Sequence, residues 1–232
     1  MNNNITLFAK NVDFGFQYCS NIVNKFCIKN LNFCLNSGDF VHLAGTNGAG
    51  KTTLIRILSG FLKCLSGGIY INSKNIKQID DIYRAAIISV VPQKVYSFAN
   101  FDVGQIIEMS KTSFRSKLFG LSKYDYLSIQ NVVKAMNIEN LIDRKYNTLS
   151  NGEKQKVIIS MAIAQESKIL FLDEALASID INSKYRIMEL LKKLNREKNI
   201  TILMSTHEKN IISNFCNRLI HIKNGIVTEK VI

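Results

Sequence analysis

The chain has 232 residues, 47% of them hydrophobic, which suffices for one sizeable α/β domain or a core carrying a smaller subdomain. No apolar run approaches the ~18 residues that span a bilayer as a helix, and the start Met1-Asn2-Asn3-Asn4 lacks the basic and apolar regions of a secretion signal, so a cytosolic location is expected. The formal net charge of +12 suits an anionic membrane face or nucleic acid, but no block of five basic residues concentrates it, and general abundance of lysine accounts for it as simply.

Residues 5–18 carry apolar side chains at Ile5, Leu7, Val12, Phe14 and Phe16, which predicts a strand pair with a turn. Residues 26–35 alternate again through Phe26, Ile28, Leu31, Phe33 and Leu35. The turn Ser37-Gly38-Asp39 precedes the apolar run Phe40-Val41-His42-Leu43-Ala44, which reads as a buried strand. Leu54-Ile55-Arg56-Ile57-Leu58 reads as a helix ending near Gly60. A turn at Ser66-Gly67-Gly68 leads to a short strand, Ile69 to Asn72, and the unbroken apolar run 85–91 suits a strand buried on both faces, ended by Pro92-Gln93.

From 94 to 150 the strand signals disappear, and helices are expected at 101–107, 124–136 and 138–144. The α/β pattern then returns. A helix is expected over 153–166, then a buried strand, Ile169 to Leu172, ending in Asp173-Glu174. Residues 183–197 read as an amphipathic helix, with Ile187, Leu190, Leu191 and Leu194 at i, i+3, i+4 and i+7. A strand from Ile200 to Ser205 ends at Thr206-His207, a short helix is expected over 208–216, and Arg218–Lys223 and Ile226–Val231 form a hairpin around Asn224-Gly225. The cysteines (Cys19, Cys27, Cys34, Cys64, Cys216) are odd in number and hold no C-x-x-C pair, so free thiols are expected, and the scattered His42, His207 and His221 suggest no zinc site.

Between the strand at 40–44 and the following helix lies Gly45-Thr46-Asn47-Gly48-Ala49-Gly50-Lys51-Thr52-Thr53, a G-x-x-x-x-G-K-T phosphate loop in the strand–loop–helix context that the motif requires. Glycines let the backbone turn tightly and bring its N–H groups to phosphate oxygens, and the positive end of the helix adds to them. Lys51 can reach the β- and γ-phosphates, and the Thr52 hydroxyl can sit on Mg²⁺. Asp173-Glu174 complements this loop. An aspartate at a strand tip can hold Mg²⁺ opposite the threonine, and the adjacent glutamate can orient or deprotonate an attacking water. Alone, the pair would read as a solvated acidic turn.

Leu149-Ser150-Asn151-Gly152-Glu153-Lys154-Gln155 resembles the signature motif of ABC-type ATPases, usually Leu-Ser-Gly-Gly-Gln/Glu. In that family Gln93 matches the Q-loop, Ser178-Ile179-Asp180 the D-loop and His207 the switch histidine, and Phe16 sits where an adenine-stacking aromatic is found. The resemblance covers the whole chain. It implies an α/β fold with a P-loop NTPase core and antiparallel β subdomain (1–93 and 151–232) and an inserted α-helical subdomain (94–150). It implies ATP and Mg²⁺ as ligands, with Thr52, Gln93 and Asp173 at the metal. Two copies would sandwich two ATP molecules, the phosphate loop of one facing Ser150 and Gly152 of the other. Glu174 would be the general base, His207 would hold the γ-phosphate, and Gln93 would sense the metal and the nucleophilic water. The expected partners are membrane-spanning permease subunits, a second copy of the chain and, in the full system, a substrate-binding protein; no nucleic acid is expected. The place of work would be the inner face of the cell membrane.

Ile163-Ala164-Gln165, the spacing of the helical insert, Asp180-Ile181 and the segment 137–144 look like importers of iron siderophores, haem or vitamin B12. Two positions depart from the family. Asn151 replaces the first signature glycine, where its tolerance of left-handed backbone angles is expected to help, and Ala175 replaces the proline that commonly follows the glutamate. Other ABC transporters, with different cargo or exporting, share most of these cues. A soluble ABC ATPase acting on DNA or ribosomes is a further reading, against which stand the missing coiled coil between the nucleotide motifs and the single domain. A non-catalytic nucleotide-binding subunit is another, against which stand Glu174 and His207.

Overall fold

The computed structural model describes residues 6–15, 27–94, 97–98, 100–111, 120–208 and 214–231. Six strands form the central sheet: β3 (Phe40–Ala44), β6 (Ile88–Val91), β7 (Ile169–Asp173), β8 (Thr201–Ser205), β9 (Arg218–Lys223) and β10 (Ile226–Val231). Their spatial order is β10-β9-β3-β8-β7-β6, parallel throughout except for the antiparallel β9–β10 hairpin. Every residue of β3, β7 and β8 is buried, as expected of parallel strands covered on both faces. Alternate side chains serve opposite faces. Leu170, Leu172, Ile202 and Met204 join one apolar cluster, and Ile169, Phe171 and Leu203 join the other.

The second cluster also takes in α1 (Lys51–Leu58) and a smaller antiparallel sheet of β1 (Leu7–Gly15), β2 (Cys27–Leu35), β4 (Ser66–Ile71) and β5 (Lys74–Asn75), in the order β2-β1-β4-β5. The first cluster packs α5 (Asn151–Ala164) and α6 (Ile181–Lys198), and onto them α3 (Val103–Glu108) and α4 (Lys123–Met136) of the 94–150 stretch. A carboxylate helps to tie that stretch down. Glu166 accepts from Lys111 at 2.8 Å, Lys198 at 3.0 Å and the Tyr124 hydroxyl at 3.2 Å. Burial pushes its carboxyl up, but the bonds from Lys111 and Lys198 outweigh that and hold it below the usual range.

Several elements differ from expectation. Residues 7–15 are one strand and not a pair; the left-handed Asn11 and two register shifts against β2 make a bulge where a turn was expected. The apolar run 85–91 is split. Asp80 caps α2 (Asp81–Ile87) by accepting from the N–H of Ile82 and Tyr83, so only Ile88–Val91 is strand. Left-handed Asn137 ends α4 as expected, but residues 138–144 hold only a 3-10 turn, Glu139–Leu141. The helix expected at 208–216 and Phe16 lie wholly or mostly outside the described residues.

Candidate active site

The loops that leave the C-terminal ends of β3, β6, β7 and β8 lie on one edge of the central sheet, where open parallel sheets bind ligands. After β3 the chain turns through Gly48 and Gly50, both at positive φ (76° and 103°), and Gly50 caps α1 without a side chain. Gly45 is required for space instead: a Cβ there would meet the Ile222 carbonyl oxygen at 2.7 Å. Lys51 is the first residue of α1 and is only 5% exposed. Its ammonium donates to the carbonyls of Gly45 at 3.1 Å and Thr46 at 3.3 Å, so it is folded back over the loop.

Glu174 is the hub of the site. Its carboxylate Oε1 lies 3.3 Å from Lys51 Nζ and 3.1 Å from His207 Nε2, and its Oε2 accepts from Gln93 Nε2 at 2.6 Å. Nε2 of His207 also stands 3.4 Å from Lys51 Nζ. A ring nitrogen cannot donate to one and accept from the other with a single proton position, and the shorter contact favours donation to the carboxylate. Three residues from separate loops or helix ends thus meet around the carboxylate of a fourth. Together with Thr52 they border a cleft of about 470 Å³. A neighbouring groove of about 900 Å³ is bordered by Thr52, Gln93 and Asp173, three oxygen-bearing side chains.

Asp173 is 4% exposed, and its Oδ1 accepts from the Ser205 hydroxyl at 2.7 Å. Glu174 has a left-handed backbone, φ 49°, uncommon for a residue with a side chain. Its N–H donates to both the carbonyl oxygen and the hydroxyl oxygen of Ser205, each at 3.0 Å. Ser205 escaped the sequence reading; the only signal was a polar residue closing the apolar run of β8. Gln155, the last residue of the signature stretch, has a contact that the sequence did not reveal: buried on α5, it donates to the Pro92 carbonyl at 3.4 Å and so braces the backbone beside Gln93.

Ser150 and Gly152 stand apart from this cleft, at the start of α5. Ser150 and Glu153 form a capping box: the Ser150 N–H donates to Glu153 Oε2 at 2.8 Å, and the Ser150 hydroxyl accepts from the Glu153 N–H at 3.3 Å. Those bonds with Ser150 hold the Glu153 carboxyl below its usual range. Asn151 is the first helical residue, is exposed, and is absent from the left-handed positions, so no unusual backbone angle explains its tolerance. Gly152 is likewise right-handed. Its constraint is space, since a Cβ would meet the Ser178 carbonyl oxygen at 2.7 Å. Asp180, at the end of that Ser178 segment, caps α6 by accepting from the Ser183 N–H at 2.9 Å.

The model of the ABC transporter family matches residues 28–177, and the chain belongs to that family. Petrobactin import ATP-binding protein FpuC of Bacillus anthracis is 32% identical over 201 residues, 87% of this chain and 74% of that protein. High-affinity zinc uptake system ATP-binding protein ZnuC of Bacillus subtilis (strain 168) is 29% identical over 219 residues, 93% and 90%. The dimeric structure of MJ0796, a bacterial ABC transporter cassette, superposes with a TM-score of 0.84 at 26% identity, covering 97% of this chain and 98% of that one. The same cassette in a post-hydrolysis state bound to ADP and Pi matches equally well. The chain is an ABC transporter ATPase with the ABC cassette fold. No helix among the described residues is long and apolar enough to cross a membrane.

Proposed function

We propose that this ATPase energises import of an iron chelate, haem or cobalamin-like compound through a membrane permease. It would work as a homodimer on the cytoplasmic face of the membrane, supplied by a substrate-binding protein. The observation that carries the hydrolytic part is the convergence of Lys51, Gln93 and His207 on the Glu174 carboxylate. The cargo class rests on the likeness to FpuC. The comparable likeness to ZnuC makes a metal ion the second reading.

The γ-phosphate of ATP carries more charge than a carboxylate and can draw Lys51 away from Glu174. Glu174 then has a free Oε1 lone pair with which to take a proton from the attacking water, while Gln93 holds Oε2. His207, whose Nε2 lies 3.1 Å from Glu174 Oε1 and 3.4 Å from Lys51 Nζ, is assigned to the γ-phosphate. Thr52, Asp173 and Gln93 fit Mg²⁺ because all three offer hard oxygens to one groove. Bound there, Mg²⁺ would neutralise charge on the β- and γ-phosphates. Ser150 and Gly152 are assigned to the nucleotide of the second copy, with the helix start of α5 behind them. Phe16 is assigned to the adenine.

Residues 94–150 are assigned to a helical subdomain, and 1–93 with 151–232 to the core and β subdomain. The groove beside Gln93, bordered by exposed Phe61 and by α2 with its exposed Ile82 and Tyr83, is the face assigned to the permease. Gln93 and Thr52 border both cleft and groove, so a change at the nucleotide would reach the partner through these two side chains.

Purifying the Glu174→Gln form from its native cells with ATP and Mg²⁺ tests this. A co-purifying polypeptide with many membrane spans is the expected result, and its relatives would separate a chelate permease from a zinc permease. Ribosomes, DNA or no partner would overturn the transport reading.

A further inference from the structure

Ser205 makes three contacts that the roles of Asp173 and Glu174 do not by themselves require. It is fully buried at the last position of β8, directly opposite Asp173 in the parallel ladder with β7. Its hydroxyl donates to Asp173 Oδ1 at 2.7 Å and accepts from the Glu174 N–H at 3.0 Å, while its carbonyl accepts from that same N–H at 3.0 Å.

We propose that Ser205 is a positioning residue for hydrolysis, whose single hydroxyl sets the orientation of both site carboxylates. This rests on the assignment of Asp173 to the metal and Glu174 to the water. A serine hydroxyl has one proton to give and rotates freely when nothing constrains it. Here the incoming Glu174 N–H takes one side of the oxygen, which commits the proton to Asp173. The donated proton ties down Oδ1, so the side chain is held in one rotamer and Oδ2 is left for a cation. A buried carboxylate with a free rotor would instead sample orientations that a metal cannot use. The same hydroxyl, with the Ser205 carbonyl, grips the N–H of a residue whose left-handed backbone is otherwise unfavourable. Glu174 is therefore aimed by its backbone anchor as well as by Gln93 and His207 on its side chain. An apolar residue closing β8 would satisfy the sheet and the core, but it would leave Asp173 Oδ1 without this donor.

The test uses the full chain as wild type, Ser205→Ala, Ser205→Thr and Asp173→Asn. Free Mn²⁺ is followed by electron paramagnetic resonance during titration in the presence of a non-hydrolysable ATP analogue. Analogue affinity without metal, thermal midpoint and ATPase rate are measured alongside. Ser205→Ala is expected to bind the analogue without metal as wild type does and to keep its thermal midpoint within a few degrees. It is expected to weaken Mn²⁺ binding and lower kcat, each by about 10- to 100-fold, the usual effect of removing a group that orients a metal ligand. Ser205→Thr, which keeps the hydroxyl, restores both to within a few-fold. Unchanged Mn²⁺ affinity in Ser205→Ala overturns the proposal when Asp173→Asn has lost it. Unchanged affinity in Asp173→Asn overturns instead the assignment of Asp173 to the metal. Equal losses in the alanine and threonine variants, or loss of metal-free analogue binding together with the thermal midpoint, make Ser205 merely structural.

Discussion

Gly152→Ala separates a requirement for space from a requirement for backbone freedom. Gly152 has an ordinary helical backbone, so alanine brings no dihedral strain and gains up to about 1 kcal/mol of helix propensity. Against this, the new Cβ would stand 2.7 Å from the Ser178 carbonyl oxygen, and one of the two must retreat by roughly 0.5–1 Å to reach an ordinary contact. Overpacking of this kind costs about 1–3 kcal/mol. The net loss is then about 0–2 kcal/mol, a fall in thermal midpoint of up to about 8 °C at this chain length. Activity suffers more than stability. The displaced segment runs from Ser178 to the cap of α6 at Asp180, and the displaced helix start carries Ser150, the residue assigned to the second copy's nucleotide. A misplacement near 1 Å costs on the order of 100-fold in rate. ATPase rates and scanning calorimetry on Gly152→Ala and Asn151→Gly check this together. Asn151→Gly, on an exposed helical surface, is expected to stay within about 0.5 kcal/mol and two-fold of wild-type activity. Wild-type turnover and midpoint in Gly152→Ala would show that the Ser178 segment yields freely, and the steric account would be wrong.

Lys51→Ala is expected to lose most ATP affinity in equilibrium binding, because the charge that meets the phosphates is gone; normal affinity would count against the loop assignment. Glu174→Gln is expected to lower turnover by 10²- to 10⁴-fold, the usual range for a general base at about neutral pH. It should also bind ATP several-fold tighter, since the carboxylate that pairs with Lys51 at 3.3 Å no longer competes; undiminished hydrolysis would remove Glu174 from the role. Asp180 bears on stability against pH. Hydrogen bonds from Ser183, aided by Lys156, hold its carboxyl down at about 2, from an ordinary value of 3.8. A depressed carboxyl stabilises the fold above its unfolded pKa, and that stability fades as pH falls through the folded value. Asp180→Asn keeps a capping side chain but cannot titrate, so its thermal midpoint should fall less steeply than wild type from pH 4 to pH 2. Parallel slopes would refute the assignment.

The family was legible because phosphate binding dictates residue types: glycines, a lysine and a threonine in a row, then two carboxylates after an apolar strand. Errors fell where composition is indifferent to structure. The run 85–91 is equally apolar as helix or strand, and the deciding group, Asp80, lies five residues upstream as a cap. Residues 138–144, too short a stretch for its apolar spacing to decide, are a single 3-10 turn and not the expected helix. Asn151 needs no left-handed tolerance, because it is plain exposed helix surface.

What no local pattern could reveal is which groups meet across the sheet, and there the core decides for the site. Ser205 faces Asp173 because Leu203 faces Phe171 two residues earlier in each strand, and both of those side chains are committed to the cluster that holds α1. Sliding β8 by one residue would turn Leu203 to the opposite face and carry the hydroxyl away from the carboxylate with it. The same face of β7 looks toward α1, which begins at Lys51 and carries Thr52 at its second position. Hydrophobic alternation in two buried strands thus sets the distance between a threonine, an aspartate and a serine that are far apart in sequence. A substitution at Leu203 or Phe171 should therefore disturb catalysis as well as stability, although neither side chain borders the nucleotide cleft.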